Sequence, residues 1–173
     1  MVARSINGWE APPSRKQVFK IPGTNRKLTL DPDAGRILTA LATDYHRTVR
    51  RLDIGAVDEA GSSFRMARGA SDQLSNHASA TAIDLNWTEE GAQGSSRGAK
   101  FFAQAKHRLA IETLKRRYGK WVQWGGDWRA KDYMHWEIRP GISRTEIQAA
   151  CILLGIDEDG VRADAVLGSS TKS

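Results

Sequence analysis

The chain has 173 residues, of which 40% are hydrophobic and 27% charged, and its formal net charge is +6. This length suits one compact domain and leaves little room for a second. The single cysteine, Cys151, excludes an intramolecular disulfide, so the fold cannot depend on an oxidising compartment. The basic charge is compatible with nucleic acid, a membrane surface or an anionic wall polymer, and charge alone does not choose among them.

The N-terminal part of the chain predicts an arm followed by a hairpin. Residues 1–16 are expected to form a flexible arm, and they contain no apolar stretch typical of a secretory signal or a membrane span. Residues 17–21 and 26–30 are short strand-like runs around the turn residues 22–25. We therefore expect a protein made in a cytoplasm, without stable membrane association.

The first helix is predicted to begin at Asp31-Pro32, with Asp as the N-cap and Pro at the first helical position. It is expected to end near Gly55. Its apolar residues recur at helical spacing: Leu38, Leu41, Tyr45, Val49 and Leu52.

Two further helices are predicted downstream. Residues 91–98 are rich in Gly and Ser and indicate a mobile loop, and a long helix follows from about Lys100 to Tyr118. His107 falls within the apolar stripe of this helix, so we interpret it as a hydrogen-bonded core histidine. The Ser-Arg-Thr-Glu run at 143–146 is a capping box that begins a short helix ending before Gly155.

Four short runs, at 63–67, 81–85, 121–124 and 134–138, predict strands. Because strands and helices are interleaved but the strands are short, we expect a single-domain α+β fold with a small, mainly antiparallel sheet flanked by helices. The expected boundaries are a flexible arm at 1–16, the folded domain at 17–156 and a flexible tail at 157–173.

Two short blocks carry residues that could share one metal ion. The first contains His77 and Asp84, and the second contains His135. Two imidazoles and one carboxylate leave a fourth tetrahedral position open for water, which is the layout of a catalytic zinc site. Asp132 stands three residues before His135, where it could act as a base on that water. The blocks together indicate a peptidase with one Zn²⁺, although the familiar H-E-x-x-H arrangement is excluded.

Strand periodicity supports this site. Ile83 and Leu85 are expected to face the core, which places Asp84 on the opposite face, and the same alternation places His135 and Glu137 together. Each residue alone has a structural explanation as a surface histidine, a turn carboxylate or a stacked histidine. Jointly, two of only four histidines fall in blocks that also carry well-placed carboxylates.

The two blocks and the segment between them also form a recognisable pattern. Its residues are Ser75-x-His77, Asp84, Trp124-Gly-Gly-Asp-Trp128 and Asp132-x-x-His135-Trp-Glu137. This pattern resembles the zinc peptidase family that contains D-Ala-D-Ala carboxypeptidases, dipeptidases and phage L-alanyl-D-glutamate endolysins. The resemblance covers about residues 60–140 and is greatest to the endolysin branch.

The resemblance implies a hedgehog/DD-peptidase-like fold with one zinc ion on the sheet. By position, the ligands would be His77, Asp84 and His135. Asp132 matches the general base of the family, and Arg65 matches an arginine that steadies the substrate carbonyl. An Asp at 132, where the dipeptidase branch uses Glu, argues against a strict D-Ala-D-Ala dipeptidase.

Four other residues are candidates for contacts around the ligands or in a substrate groove. Glu137 would orient a ligand histidine, and a salt bridge with Arg139 is an equal alternative. Ser75 belongs to the motif of the first ligand, and Trp124 and Trp128 would line the groove unless they only pack.

Ala80 departs from the family pattern, which usually has Gly three residues after the first ligand histidine. A positive φ at Ala80 would strain the turn, because L-residues with a Cβ rarely adopt that conformation. This departure concerns the shape of the loop more than the identity of the ligands.

The expected function is L-alanyl-D-glutamate endopeptidase activity on bacterial peptidoglycan, by a monomeric phage-type endolysin in host cell lysis. One alternative is a D-alanyl-D-alanine carboxypeptidase of the same fold. The other is a non-catalytic basic module that binds the wall or nucleic acid, although nucleic-acid recognition motifs are absent from the sequence.

Overall fold

The computed structural model describes residues 2–90 and 94–164. Two antiparallel sheets and five α-helices make up an α+β fold, as the sequence predicts. The strands are β1 (Gln17–Lys20), β2 (Lys27–Leu30), β3 (Ala82–Asp84), β4 (Val122–Trp124) and β5 (His135–Ile138). The helices are α1 (Pro32–Thr48), α2 (Trp87–Glu90), α3 (Ser96–Ala103), α4 (Ala105–Tyr118) and α5 (Arg144–Leu153), with a 3-10 turn at Gly125–Asp127.

The three-stranded sheet has the order β3-β5-β4, with β5 in the centre. Asp84 on β3 lies directly opposite His135 on β5, and Gln123 on β4 lies opposite Glu137. Because side chains alternate along a strand, the neighbours Ile83 and Trp136 point to the other face and enter the core. The register therefore brings two distant blocks of the chain side by side.

Helix α1 is the central element of the core and packs on α4, α5 and the β1-β2 hairpin. The Asp31 side chain accepts hydrogen bonds from the backbone N–H groups of Asp33 and Ala34, which confirms it as the N-cap. The predicted end near Gly55 is wrong, since the helix ends at Thr48. The buried Arg26 guanidinium instead binds the carbonyls of Leu52, Gly55 and Ala56 in the following loop.

The predicted helix at 100–118 is two helices, separated at Gln104, whose backbone is extended. His107 stacks on the Phe101 ring with a centroid distance of 3.6 Å, and its Nδ1 hydrogen-bonds the Phe101 carbonyl across the break. The interpretation of His107 as a hydrogen-bonded, buried histidine is confirmed. Of the predicted mobile loop, residues 91–93 lie outside the described ranges, and α3 already begins at Ser96.

The predicted strand at 63–67 is wrong. These side chains are exposed or half-buried, and the only ladder contact in this run is a single bridge between Met66 and Leu74. The backbone is paired loosely with residues 73–77: Ser63 N–H donates to the His77 carbonyl, Ser75 N–H to the Arg65 carbonyl and Ala67 N–H to the Gln73 carbonyl. The run therefore has an antiparallel neighbour, but the pairing amounts to a single bridge and forms no regular strand.

The ends of the chain make specific contacts. Ser5, Asn7 and Trp9, in the segment expected to be an arm, are buried. Near the other end, the Arg162 guanidinium lies 2.9 Å from the Asp44 carboxylate and is also buried. The rest of the expected tail, 165–173, lies outside the described residues. No helix within 2–90 or 94–164 is long and apolar enough to cross a membrane.

Candidate metal centre

Three donor groups converge beside the central strand. His77 Nε2 lies 3.3 Å from His135 Nδ1 and 3.3 Å from Asp84 Oδ2, and His135 Nδ1 lies 2.9 Å from Asp84 Oδ1. Ligands about 2.0–2.2 Å from a tetrahedral zinc stand roughly 3.3 Å from one another. These residues could therefore hold one metal ion after only small shifts of the side chains.

In each imidazole, the ring nitrogen that points away from the centre already has a hydrogen-bond partner. The other nitrogen is therefore the one that faces the centre. His77 Nδ1 lies 2.6 Å from the Gly61 carbonyl oxygen, so it carries the proton and leaves the Nε2 lone pair free. His135 Nε2 lies 2.8 Å from Glu137 Oε2, which leaves Nδ1 to face the centre. Such partners are typical of metal-ligating histidines and set both tautomer and ring orientation.

The electrostatics of the site favour a cation. Burial raises the pKa of Asp84, but hydrogen bonds with His135 and His77 outweigh burial and hold this pKa below its ordinary value. Burial lowers the pKa of His135, yet its hydrogen bonds to Asp84 and Glu137 raise it to about 10. The negative charge of Asp84 and Glu137 favours a proton on His135 Nδ1. The same charge favours a metal ion there, because the proton and the ion bind the same lone pair.

All three donor residues are buried, with exposed fractions of 1% for His77, 5% for Asp84 and 7% for His135. A set of two neutral imidazoles and one carboxylate suits Zn²⁺ and leaves positions open for water or substrate. The residues present therefore fit the single zinc ion that the sequence predicts. Glu137 contacts His135, as one of the two sequence interpretations expects, and Arg139 instead donates to the Gly119 carbonyl.

Asp132 lies beside the centre, in the wall of a cleft of about 370 Å³ that also exposes His135. Its Oδ1 is buried and has no hydrogen-bond partner among the described residues. Burial raises the pKa of the Asp132 carboxyl, the positive charge of His135 opposes this, and the negative charge of Asp84 reinforces it. A carboxylate with an unpartnered oxygen and a raised pKa is suited to accepting a proton at neutral pH.

The Trp-Gly-Gly-Asp-Trp run explains how Asp132 is placed. The Gly125 carbonyl accepts a hydrogen bond from the Asp132 N–H at 3.0 Å, and a Cβ on Gly125 would lie only 2.4 Å from the Asp132 carbonyl oxygen. A Cβ on Gly126 would lie 2.4 Å from the Trp124 ring. The two glycines therefore let the 3-10 turn fold closely against the loop that carries Asp132 and against the core.

We predict that Gly125→Ala moves the loop that carries Asp132 and lowers the turnover of the peptide hydrolysis that the sequence leads us to expect. A displacement of about 1 Å at a catalytic group can cost roughly 100-fold in rate. Gly126→Ala is the matched control, because its clash is with the Trp124 ring and should reduce stability more than turnover. Rates and thermal unfolding of both variants test this, and equal turnover losses in the two would contradict it.

The other sequence candidates are distributed around the cleft and the core. Arg65 lies at the rim, 45% of its side chain is exposed, and its Nη2 is 3.8 Å from Asp84 Oδ2. Ser75 lines the cleft and its Oγ accepts from the His77 N–H. Trp128 also lines the cleft, with its ring 5.2 Å from that of His135. Trp124 does not, because it is buried against Trp136 in the core.

Ala80 has a φ of +57°, which is the left-handed conformation that disfavours a side chain. The turn is stabilised by hydrogen bonds at both ends: Ala80 N–H donates to the His77 carbonyl, and the Ala80 carbonyl accepts from Asp31 N–H. The strain expected from replacing the family glycine is therefore present in the first ligand loop.

Three residues of the cleft were missed by sequence reasoning. Arg68 adds a second cation beside Arg65. Asn76 Nδ2 donates to Glu137 Oε2 at 2.7 Å, and Gln123 Nε2 donates to Glu137 Oε1 at 2.6 Å. Gln123 could have been found from strand pairing, because it is the polar residue between two apolar ones on a strand next to Glu137. Neither Asn76 nor Arg68 carries a comparable signal.

The geometry agrees with one comparison to known proteins. Residues 68–138 match a family model described as D-alanyl-D-alanine carboxypeptidase. The match includes the three donor residues and Asp132, whereas Arg65 lies just outside it. No curated protein and no solved structure shows significant similarity to the chain. The match supports a peptidase, but it does not identify the bond that is cleaved.

Proposed function

We propose that this protein is a zinc-dependent peptidase that cleaves the stem peptide of bacterial peptidoglycan, at the bond between L-alanine and D-glutamate. The observation that carries the proposal is the convergence of His77, Asp84 and His135 on one point, next to a cleft that His135 and Asp132 line. The family match supports the general class. The motif Trp-Gly-Gly-Asp-Trp with Asp at 132 supports the endopeptidase branch and a role in lysis as a phage-type endolysin.

The residues of the chain divide the work of peptide hydrolysis. When bound, zinc supplies Lewis-acid polarisation and lowers the pKa of water toward about 7. Asp132 accepts the proton of the attacking water and returns it to the leaving amine. Arg65, at the rim near Asp84, stabilises negative charge that develops on the scissile carbonyl oxygen. Glu137 holds the ring of His135 in its orientation.

The charges in the cleft suit an acidic substrate. Arg65 and Arg68 line the same cleft, and the net charge of the chain is +6. The D-glutamate of a stem peptide carries a carboxylate next to the proposed scissile bond, so cations there would favour binding. A D-alanyl-D-alanine carboxypeptidase is the second candidate, because the matched family model is described by that activity and a terminal carboxylate would also fit two arginines.

Digestion of purified muropeptides, read by mass spectrometry, distinguishes the two. The proposal predicts products with a new N-terminal D-glutamate, activity lost after zinc removal, and activity restored by added Zn²⁺. Release of free D-alanine would favour the carboxypeptidase instead. Cleavage that survives complete zinc removal would refute the metal assignment for both.

A further inference from the structure

We infer that the N-terminal segment completes the metal centre, with Asn7 and Asn76 as positioning residues that act on His135 through Glu137. The inference rests on the proposed function, since it assumes that His135 binds zinc. It assigns a task to residues 5–9, which lie far from the ligands in sequence and outside the region that matches the family model.

Three consecutive hydrogen bonds connect this segment to the ligand. The Asn7 backbone N–H donates to Asn76 Oδ1 at 2.9 Å, and Asn76 Nδ2 donates to Glu137 Oε2 at 2.7 Å. The same carboxylate oxygen lies 2.8 Å from His135 Nε2. Asn7, Asn76 and Glu137 are 3%, 3% and 6% exposed, so water cannot readily replace any of these bonds.

The Asn7 N–H and the Glu137 carboxylate both require the same orientation of the Asn76 amide. An amide side chain has an acceptor end and a donor end, and only one orientation satisfies both neighbours. With Oδ1 toward the Asn7 N–H, the NH₂ group faces the Glu137 carboxylate. The reversed amide would set two donors against each other at Asn7 and two acceptors against each other at Glu137. The backbone of the N-terminal segment therefore stabilises the orientation in which Asn76 donates to the carboxylate that contacts His135.

Asn7 is itself anchored to the elements that carry the ligands. Its Nδ2 donates to Thr81 Oγ1 at 2.8 Å and to the carbonyl of Ile138 at 3.1 Å, directly after Glu137 on β5. Its Oδ1 accepts from Ser5 Oγ at 2.7 Å. The segment thus joins the end of β5 to the residue preceding β3, and these two strands carry His135 and Asp84.

The test compares zinc affinity in full-length variants. Partners that orient a metal ligand typically change affinity by about 10–100-fold when removed. We expect Asn76→Ala, which removes the donor to Glu137, to weaken zinc binding by roughly 10-fold or more, measured by competition with a chelator. Asn7→Ala keeps the backbone N–H but removes the side-chain hydrogen bonds that anchor it, so we expect a weakening no greater than that of Asn76→Ala. Because both act through Glu137, the double variant should be little weaker than Asn76→Ala alone. The visible spectrum of the Co²⁺-loaded protein should also change, since it reports ligand geometry.

Thr43→Ala is the control for a purely structural effect. Thr43 is buried in α1, where its hydroxyl donates to the Thr39 carbonyl, and it is not one of the three donor residues. It should lower stability and leave zinc affinity unchanged. If Asn7→Ala does not fold, Ser5→Ala removes the hydroxyl that contacts Asn7, Trp9 and Ser79 but leaves the Asn7 side chain in place. It is expected to weaken zinc binding by a smaller factor.

The outcomes separate this inference from the proposed function. Wild-type protein that binds no zinc would overturn the proposed function. Wild-type protein that binds zinc, with Asn7 variants no weaker than Thr43→Ala, would overturn the inference alone. Fully additive losses in the double variant would also overturn it, because Asn7 would then act by a separate route.

Discussion

Asp132→Asn is expected to reduce the turnover of peptidoglycan hydrolysis by about 10²–10⁴-fold, the usual contribution of a general base. The amide keeps the size of the carboxylate but cannot accept a proton from water. Asp132 is not one of the three donor residues, so zinc affinity should change by only a few-fold. The measurement pairs steady-state rates on muropeptides with a zinc titration of the same protein.

Asp127→Asn provides the matched control, because Asp127 is a nearby carboxylate in the Trp-Gly-Gly-Asp-Trp run and not among the residues that line the cleft. It is exposed and pairs with Lys115 at 2.9 Å, a contact typically worth less than about 1 kcal/mol. Near-normal turnover is expected for it. Full activity of Asp132→Asn would remove the base assignment.

His135→Ala is expected to abolish stoichiometric zinc binding at micromolar protein. The free energy of zinc binding to sites with four protein ligands is about 10–16 kcal/mol. One ligand therefore accounts for roughly 3 kcal/mol, or about 100-fold in affinity. Zinc at about 100 times its dissociation constant would stabilise the wild type by roughly 2.7 kcal/mol. Thermal unfolding with and without Zn²⁺ should show that shift in the wild type and lose it in the variant.

His46→Ala is the corresponding control, since His46 lies away from the centre and its Nδ1 accepts a hydrogen bond from the Leu52 N–H. It should bind one equivalent of zinc, although its melting temperature without metal is expected to fall. A zinc-dependent shift that persists in His135→Ala would show that the ion is held elsewhere.

The structure brings together the three donor residues that the sequence singles out, and each of them lies in a short recognisable block. Strand alternation also places Asp84 and His135 on the same face of the sheet. The α1 cap and the capping box at Ser143 also follow from adjacent residues, and both are present. The hairpin β1-β2 is found where turn residues separate two apolar runs.

What the sequence does not predict depends on contacts between distant residues. The break at Gln104 accompanies His107 stacking on Phe101, and nothing in the helical pattern forbids a continuous helix there. The run 63–67 has strand-like residues, but its pairing with 73–77 amounts to a few hydrogen bonds and one bridge and forms no regular strand. The segment 5–9 has no apolar periodicity that would predict its packing. Hydrogen bonds to Asn76, Ser79 and Thr81 hold it in place instead.

The central claim is that His77, Asp84 and His135 bind one zinc ion. Crystals grown with one equivalent of Zn²⁺, with diffraction measured on both sides of the zinc absorption edge, test this claim most directly. We predict a single anomalous peak about 2.0–2.2 Å from His77 Nε2, an Asp84 carboxylate oxygen and His135 Nδ1. A peak at other side chains, or no peak from protein shown to contain zinc, would contradict the claim.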